Sequence, residues 1–328
     1  MNVLNFTAYE LKLVEIVQKL TKFELLNKFF YYISFLGEAY LFMVVAIILY
    51  LLVDKKWGYK FIVAFLTSSV LVGALKVAFR RVRPFNDSLV VKSIGPKTPG
   101  HSMPSGHSNS ASVISTGVLK GTSNKFVRFL FILNIILIPF SRIYLGQHYL
   151  TDVLAGIALG ALVVFIVFKV FDKTEKEDLV GLIIVPFALG GMYLLHKLGR
   201  YNKDMFRAAG AAVAFAIGYL FEKRVIKFVP NDSRKWVQFI KLIVGLGGTA
   251  ALYIGLDKLP FINELEGLST AMEYVWQAAK YAIIAIWITV LAPAIFKLIF
   301  RTKSEKMVQS LVEKKPERIR VKLPYQEA

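Results

Sequence analysis

Apolar runs long enough to cross a bilayer alternate with short polar stretches from residue 35 to residue 300. A hydrocarbon core of roughly 30 Å takes about 20 mostly apolar residues in a helix, and a helix pairs all its backbone groups internally. The pattern therefore predicts an all-α, polytopic bundle. Its nine spans fall at 35–53, 58–79, 104–119, 127–145, 149–171, 179–198, 206–221, 236–256 and 275–300. Ahead of them, residues 8–33 place Leu13, Val17, Leu20 and Phe23 at helical spacing, with Lys12, Glu15 and Lys19 between. This reads as an amphipathic helix lying in the membrane interface. A first crossing is the alternative, disfavoured by the frequency of charge.

One span departs from the apolar rule. Residues 104–119 read PSGHSNSASVISTGVL, too polar for a helix facing lipid. Small hydroxylated residues suit a helix buried inside the bundle, where backbones approach closely and hydroxyls find partners. Gly156 and Gly160, flanked by Ala155 and Ala161, read as a close-packing face on the span 149–171. Gly190-Gly191 and Gly245 to Gly248 read as packing sites too. The expected organisation is an N-terminal interfacial helix (1–34), a transmembrane core (35–178), a four-helix extension (179–300) and a basic tail (301–328).

Charge sets the orientation. The chain has a net charge of +19, 56% hydrophobic residues and no cysteine. Lys55, Lys56 and Lys60, then Lys120, Lys125 and Arg128, then Lys223, Arg224, Lys227, Arg234 and Lys235 fall on one side of the predicted bundle, with the tail from Arg301. The other side carries the acidic connection 257–275. Short basic loops face the cytoplasm, so the positive charge reads as topology and as attraction of the tail to anionic lipid, not as nucleic-acid binding. Without cysteine there is no disulfide, thiolate metal site or thiol nucleophile.

Three polar clusters interrupt the core, and an ionisable group at membrane depth is costly enough to point to function. The first holds Lys76, Arg80, Arg81, Arg83 and Pro84. Lys76, Arg80 and Arg83 are spaced i, i+4, i+7 and would share one helix face. A cationic face without an acidic neighbour asks for an anion, and the arginine fork suits phosphate oxygens. Arg81 reads as a side chain snorkelling to the membrane edge, with Arg80 undecided. The second cluster, Pro104-Ser105-Gly106-His107, reads as a helix start with Ser105 as its cap and free N–H groups for an anion. In the third, Ser141-Arg142 is followed by His148 and Asp152, which at i, i+4 would share a helix face so that the carboxylate fixes the imidazole.

Lys-x6-Arg-Pro, Pro-Ser-Gly-His and Ser-Arg-x5-His-x3-Asp, complete and in this order, resemble the type-2 phosphatidic acid phosphatase family of integral membrane phosphatases. The resemblance covers roughly residues 35–171. It implies a lipid phosphatase in which His148 is the nucleophile and carries a phosphohistidine, Asp152 orients it, and His107 is the general acid and then base. Lys76, Arg83, Ser105, Gly106 and Arg142 would bind the phosphate. No metal or other cofactor is expected. Phosphatidate, phosphatidylglycerophosphate, sphingoid-base phosphates and polyprenyl diphosphates are the substrates the family suggests.

With all three motifs on the side opposite the basic loops, the expected setting is the cytoplasmic membrane with the site facing outward. The partners are then a lipid phosphate and the bilayer, without nucleic acid and with a homodimer allowed. The connection 85–103 is expected to cover the pocket. Its Lys92, Lys97 and His101 read as ordinary loop charges, or as contacts to a second phosphate. A phosphotransferase would use the same residues, and a lipid-moving or scaffold protein centred on 179–300 is the rival from another class.

Overall fold

A computed structural model describes residues 3–88, 91–231, 234–259 and 270–300. The basic tail 301–328 and most of the acidic connection lie outside the described residues. Every predicted span coincides with a helix. In chain order these are α1 (Val3–Gln18), α2 (Glu24–Phe35), α3 (Ala39–Val53), α4 (Lys55–Phe79), the single turn α5 (Pro84–Asp87), α6 (Gly106–Gly121), α7 (Lys125–Tyr144) and α8 (Leu150–Asp172). The extension adds the short α9 (Glu177–Gly181), α10 (Ile184–Lys197), α11 (Lys203–Phe221), α12 (Lys235–Leu256), α13 (Thr270–Ile286) and α14 (Ala292–Ile299).

Among the described residues, seven helical segments are long and apolar enough to cross a membrane. An eighth exists only if α2 and α3, bent by 47° at residues 36–38, count as one span. The segment ahead of residue 35 is thus two helices with different surroundings, not one interfacial helix. The first, α1, packs Val14 against Val91, Ile143, Tyr149 and Val153, while α2 packs Phe30 against Tyr144 and Leu145.

Helix α6 sits at the centre, against α4, α7 and α8, as its polar composition predicts. Its hydroxyl and amide groups are paired across the helix contacts. Ser68 donates to the Asn109 side chain at 2.7 Å, Ser112 to the Ile157 carbonyl at 2.7 Å, and Asn134 to Ser115 at 3.0 Å. Gly156 and Gly160 make the approach of α8 to α6 close enough that a Cβ at either would run into the Ser105 or Asn109 carbonyl. The other glycine runs are mixed. Gly245 and Gly248 face Leu51 and Trp287, whereas Gly190 and Gly247 border open space.

The hydrophobic core runs across 178–179 without interruption. Phe61, Phe65, Val113 and Phe171 share it with Phe215, Tyr219, Ile288 and Phe296. At the end carrying the basic loops, the Tyr59 and Tyr219 rings stack at 3.6 Å, Lys55 pairs with buried Glu222 at 3.0 Å, and Lys223 and Arg224 reach Asp178 at 3.0 Å. The three motifs lie at the opposite end of the same helices.

Candidate active site

Helix α4 stops at Phe79, and Arg80 takes a left-handed conformation (φ 49°) with its side chain exposed. Arg83 then caps the single turn that begins at Pro84, with the extended backbone (ψ 150°) that a residue before proline favours. Lys76, Arg80 and Arg83 therefore do not share a helix face, because the helix ends between them. Lys76 and Arg83 converge by another path. Their charged ends meet on the His101 carbonyl, at 3.1 and 3.2 Å, and Arg83 also donates to the carbonyls of Pro99 (3.1 Å), Gly100 (2.9 Å) and Gln147 (3.0 Å).

Ser105 caps α6 as predicted, accepting from the Ser108 N–H at 3.3 Å, while its own N–H donates to the Asp152 carbonyl at 2.9 Å. Gly106, first residue of α6, has nothing within 4 Å of the place a Cβ would occupy, which leaves that stretch of backbone open to a ligand. His107 has a partner absent from the sequence reading: its Nε2 lies 3.0 Å from Glu38 Oε1. Glu38 stands at the α2–α3 bend. A lone carboxylate between two apolar helices is the signal that could have found it.

Arg142, buried near the end of α7, donates to Ser34 (2.5 Å) and Thr98 (3.0 Å), and its Nε has no partner. All three predicted cations thus bond to the stretch 98–101, so the connection 85–103 does cover them. Gln147 fastens that connection, accepting from the Thr98 N–H at 3.2 Å and donating to Ser93 at 2.7 Å. Lys97 instead lies over the Phe85 ring at 5.7 Å.

His148 precedes α8 and is not on it. Asp152 is the third residue of that helix and accepts from the Tyr149 N–H at 2.9 Å, so the carboxylate that faces the imidazole also caps the helix. The imidazole is buried. Its Nε2 lies 3.1 Å from Arg83, and its Nδ1 lies 3.5 Å from Asp152 Oδ2 without forming a hydrogen bond. Burial, with the cations of Arg83, Arg142 and Lys76 around it, holds the ring well below its ordinary pKa. A guanidinium can only donate, so Nε2 is the acceptor in the Arg83 contact.

Arg81 is not a membrane-edge side chain. It donates to Asp152 Oδ1 at 2.9 Å, to Thr151 at 2.7 Å and to Glu10 at 2.5 Å, and stacks over Tyr149 at 4.0 Å. Ser102 donates to the other Asp152 oxygen. Glu10, from α1, also accepts from the Thr151 N–H and hydroxyl at 2.8 and 2.7 Å. Neither Glu10 nor Ser102 carried any spacing signal. Among the described residues no three His, Cys, Asp or Glu side chains converge as a bound metal would require.

Residues 57–176 match the model of the PAP2 superfamily, and 206–304 match the family model described as "PAP2 superfamily phosphatase, transmembrane extension". An undecaprenyl-diphosphatase of Sulfolobus acidocaldarius is 33% identical over 144 residues, covering 43% of this chain and 68% of that protein. The chain belongs to the PAP2 superfamily. Phosphatidylglycerophosphatase B of Bacillus subtilis is 36% identical over 133 residues, 38% of this chain and 62% of its own length. A lipid A 4'-phosphatase of Porphyromonas gingivalis is 31% identical over 160 residues, 45% of this chain and 66% of that protein. No solved structure matches significantly. The family match over residues 57–176 takes in all three motifs. This is a multi-pass membrane phosphatase of the PAP2 type, and its helices from residue 206 onward match the family's own transmembrane extension.

Proposed function

We propose that this PAP2 phosphatase hydrolyses a lipid phosphate monoester or diphosphate through a phosphohistidine on His148, without a metal. One observation carries the reading: a buried imidazole accepts at Nε2 from the Arg83 guanidinium at 3.1 Å, with Asp152 behind Nδ1. The relatives' names point to polyprenyl diphosphate, phosphatidylglycerophosphate and lipid A phosphate, and a phosphate joined to a long-chain lipid is what these share.

Phosphoryl transfer asks for placement and for stabilisation of charge on the equatorial oxygens. Lys76, Arg83 and Arg142 take the nonbridging oxygens in exchange for the carbonyls and hydroxyls they now hold, with the Ser105–Gly106 backbone as the remaining cradle. The Nε2 lone pair attacks phosphorus and the bond to the lipid oxygen breaks. His107 gives that oxygen its proton, and Asp152 stabilises the cationic phosphoimidazole at Nδ1. Water then attacks phosphorus and gives a proton to His107. The N–P bond breaks and phosphate leaves, which restores both histidines.

The basic loops at the other end support a site on the extracytoplasmic side of the cytoplasmic membrane and a basic tail held at anionic headgroups. The test is phosphate release by the purified protein from polyprenyl monophosphate and diphosphate, phosphatidylglycerophosphate and phosphatidate, with and without chelator. The expected result is chelator-insensitive release, lost in His148→Ala, with an acid-labile, base-stable phosphate label on His148 after rapid quenching. Near-normal turnover by His148→Ala, or loss of turnover on chelation, overturns the mechanism.

A further inference from the structure

Lys76, Gly106 and His107 line one end of a cavity of about 280 Å³ that does not stop at the helices carrying the motifs. One wall comes from α3, α4 and α6, with Phe42, Ile62 and Phe65. The facing wall belongs to the extension: Ala208, Ala211 and Phe215 of α11, with Ile284, Ala285 and Ile288 just across. Ala208, Ala211 and Phe215 recur at i, i+3, i+7 and share one helix face, and the two alanines on it leave room where larger side chains would close the space. Polarity is graded along the cavity. The ionisable side chains Glu38, Lys76, His107, Asp204 and Arg207 all come from the ends of their helices nearest the motifs, and the rest of the lining is mainly aliphatic and aromatic, with Ser69, Asn109 and Ser110 as its small polar members. A ligand matching this gradient has an anionic head and one apolar chain.

We propose that this cavity receives the hydrocarbon chain of the substrate, and that the extension exists to be its far wall. The segment of lipid next to the phosphate is then held between α4 and α11 inside the protein, and not in the surrounding bilayer. The inference rests on the phosphatase reading above and names the part of the substrate that reading leaves open. Transfer of a chain from lipid to protein gains little from the hydrophobic effect, so the cavity selects by shape and length.

Two measurements on the full-length protein test it. The first is kcat/KM for linear alkyl phosphates from ethyl to decyl, all kept below their aggregation limit in low detergent. From water, each methylene that enters an apolar cavity is worth up to about fourfold in binding. The wild type should climb by about that factor per methylene until the cavity is full. Ala211→Leu and Ala285→Leu, which place an isobutyl group in the cavity, should level the climb several methylenes earlier. A climb of unchanged slope and length in both variants overturns the proposal.

The second needs no turnover. A radiolabelled decyl phosphate with a diazirine in mid-chain is photolysed with wild type and with His148→Ala, and the labelled peptides are mapped. Label on Lys203–Phe221 and Thr270–Ile286, competed by unlabelled decyl phosphate, supports the cavity whether or not any phosphate is released. Label confined to the lipid-facing surfaces of α7, α8 or α10 overturns it. Absence of all turnover together with competed label on α11 and α13 would sink the catalytic reading alone.

Discussion

Glu10 offers the sharpest test of how the nucleophile is held, because it lies on α1 and far from any motif. Its carboxylate is buried, takes the charge of Arg81 at 2.5 Å and accepts both Thr151 donors. Arg81 in turn holds Asp152 at 2.9 Å, and Asp152 faces His148. Removing one partner of a buried pair costs about 3–5 kcal/mol, mostly for the charge left behind. Arg81 keeps Asp152 and its side chain is 17% exposed, so the low end applies and Glu10→Ala should cost about 3 kcal/mol. Glu10→Gln keeps an acceptor for Thr151 and loses only the charge, about 1 kcal/mol. Beside Glu10, α1 is docked through Val14 against Val91, Ile143, Tyr149 and Val153, so the loss should appear as undocking of that helix. Hydrogen exchange of residues 3–18 should accelerate about a hundredfold in Glu10→Ala and about fivefold in Glu10→Gln. Turnover of a lipid phosphate should fall in the same order. Wild-type exchange and wild-type turnover in Glu10→Ala would show that α1 has no part in positioning Asp152.

Arg83→Lys keeps the charge but loses the fork that spans four carbonyls and His148, and kcat should fall about a hundredfold in a phosphate-release assay. Glu38→Ala removes the partner of His107 and should lower kcat about tenfold with little change in KM, while Glu38→Gln recovers most of it. Gly160→Val drives a side chain into the Asn109 carbonyl and Ser112, so the α6–α8 contact should lose about 2–3 kcal/mol and the thermal midpoint in detergent should drop. Gly247→Ala, where the added methyl meets open space, should leave that midpoint unchanged or slightly raised.

The motif residues were legible because charge is expensive in an apolar sequence and so marks the site. What the residues could not convey was the path of the chain between charges. A helical wheel put Lys76, Arg80 and Arg83 on one face, yet Pro84 fixes Arg83 in extended backbone and the helix ends before it. The proline restriction overrides the helical spacing. His148 and Asp152 face one another at 3.5 Å, but only Asp152 is on the helix. The carboxylate at the third helical position caps the helix, and the imidazole stands just outside it. Arg81 could not be read at all, because its carboxylate partners lie 71 residues away in either direction and no local pattern encodes them.

The joint between the two halves was hidden for a different reason. In water an apolar stripe marks the buried face of a helix. In a bilayer lipid is as apolar as leucine, and hydropathy does not tell a helix against protein from one against acyl chains. The run 179–300, lacking motifs, therefore looked like an addition to the phosphatase core. The informative residues are the small and polar ones. Three of the four serines of α6 are buried, and so are most of the alanines in the RAAGAAVAFA run of α11, where Gly210 lets the backbone meet that of Ala278. Both helices lose apolar bulk where they meet other helices, and between them, beside α4, lies the cavity that opens on His107. Small residues in a membrane helix argue for protein on that side. Where two such helices flank a cationic site without filling the space, the void is shaped for something that the chain does not itself supply.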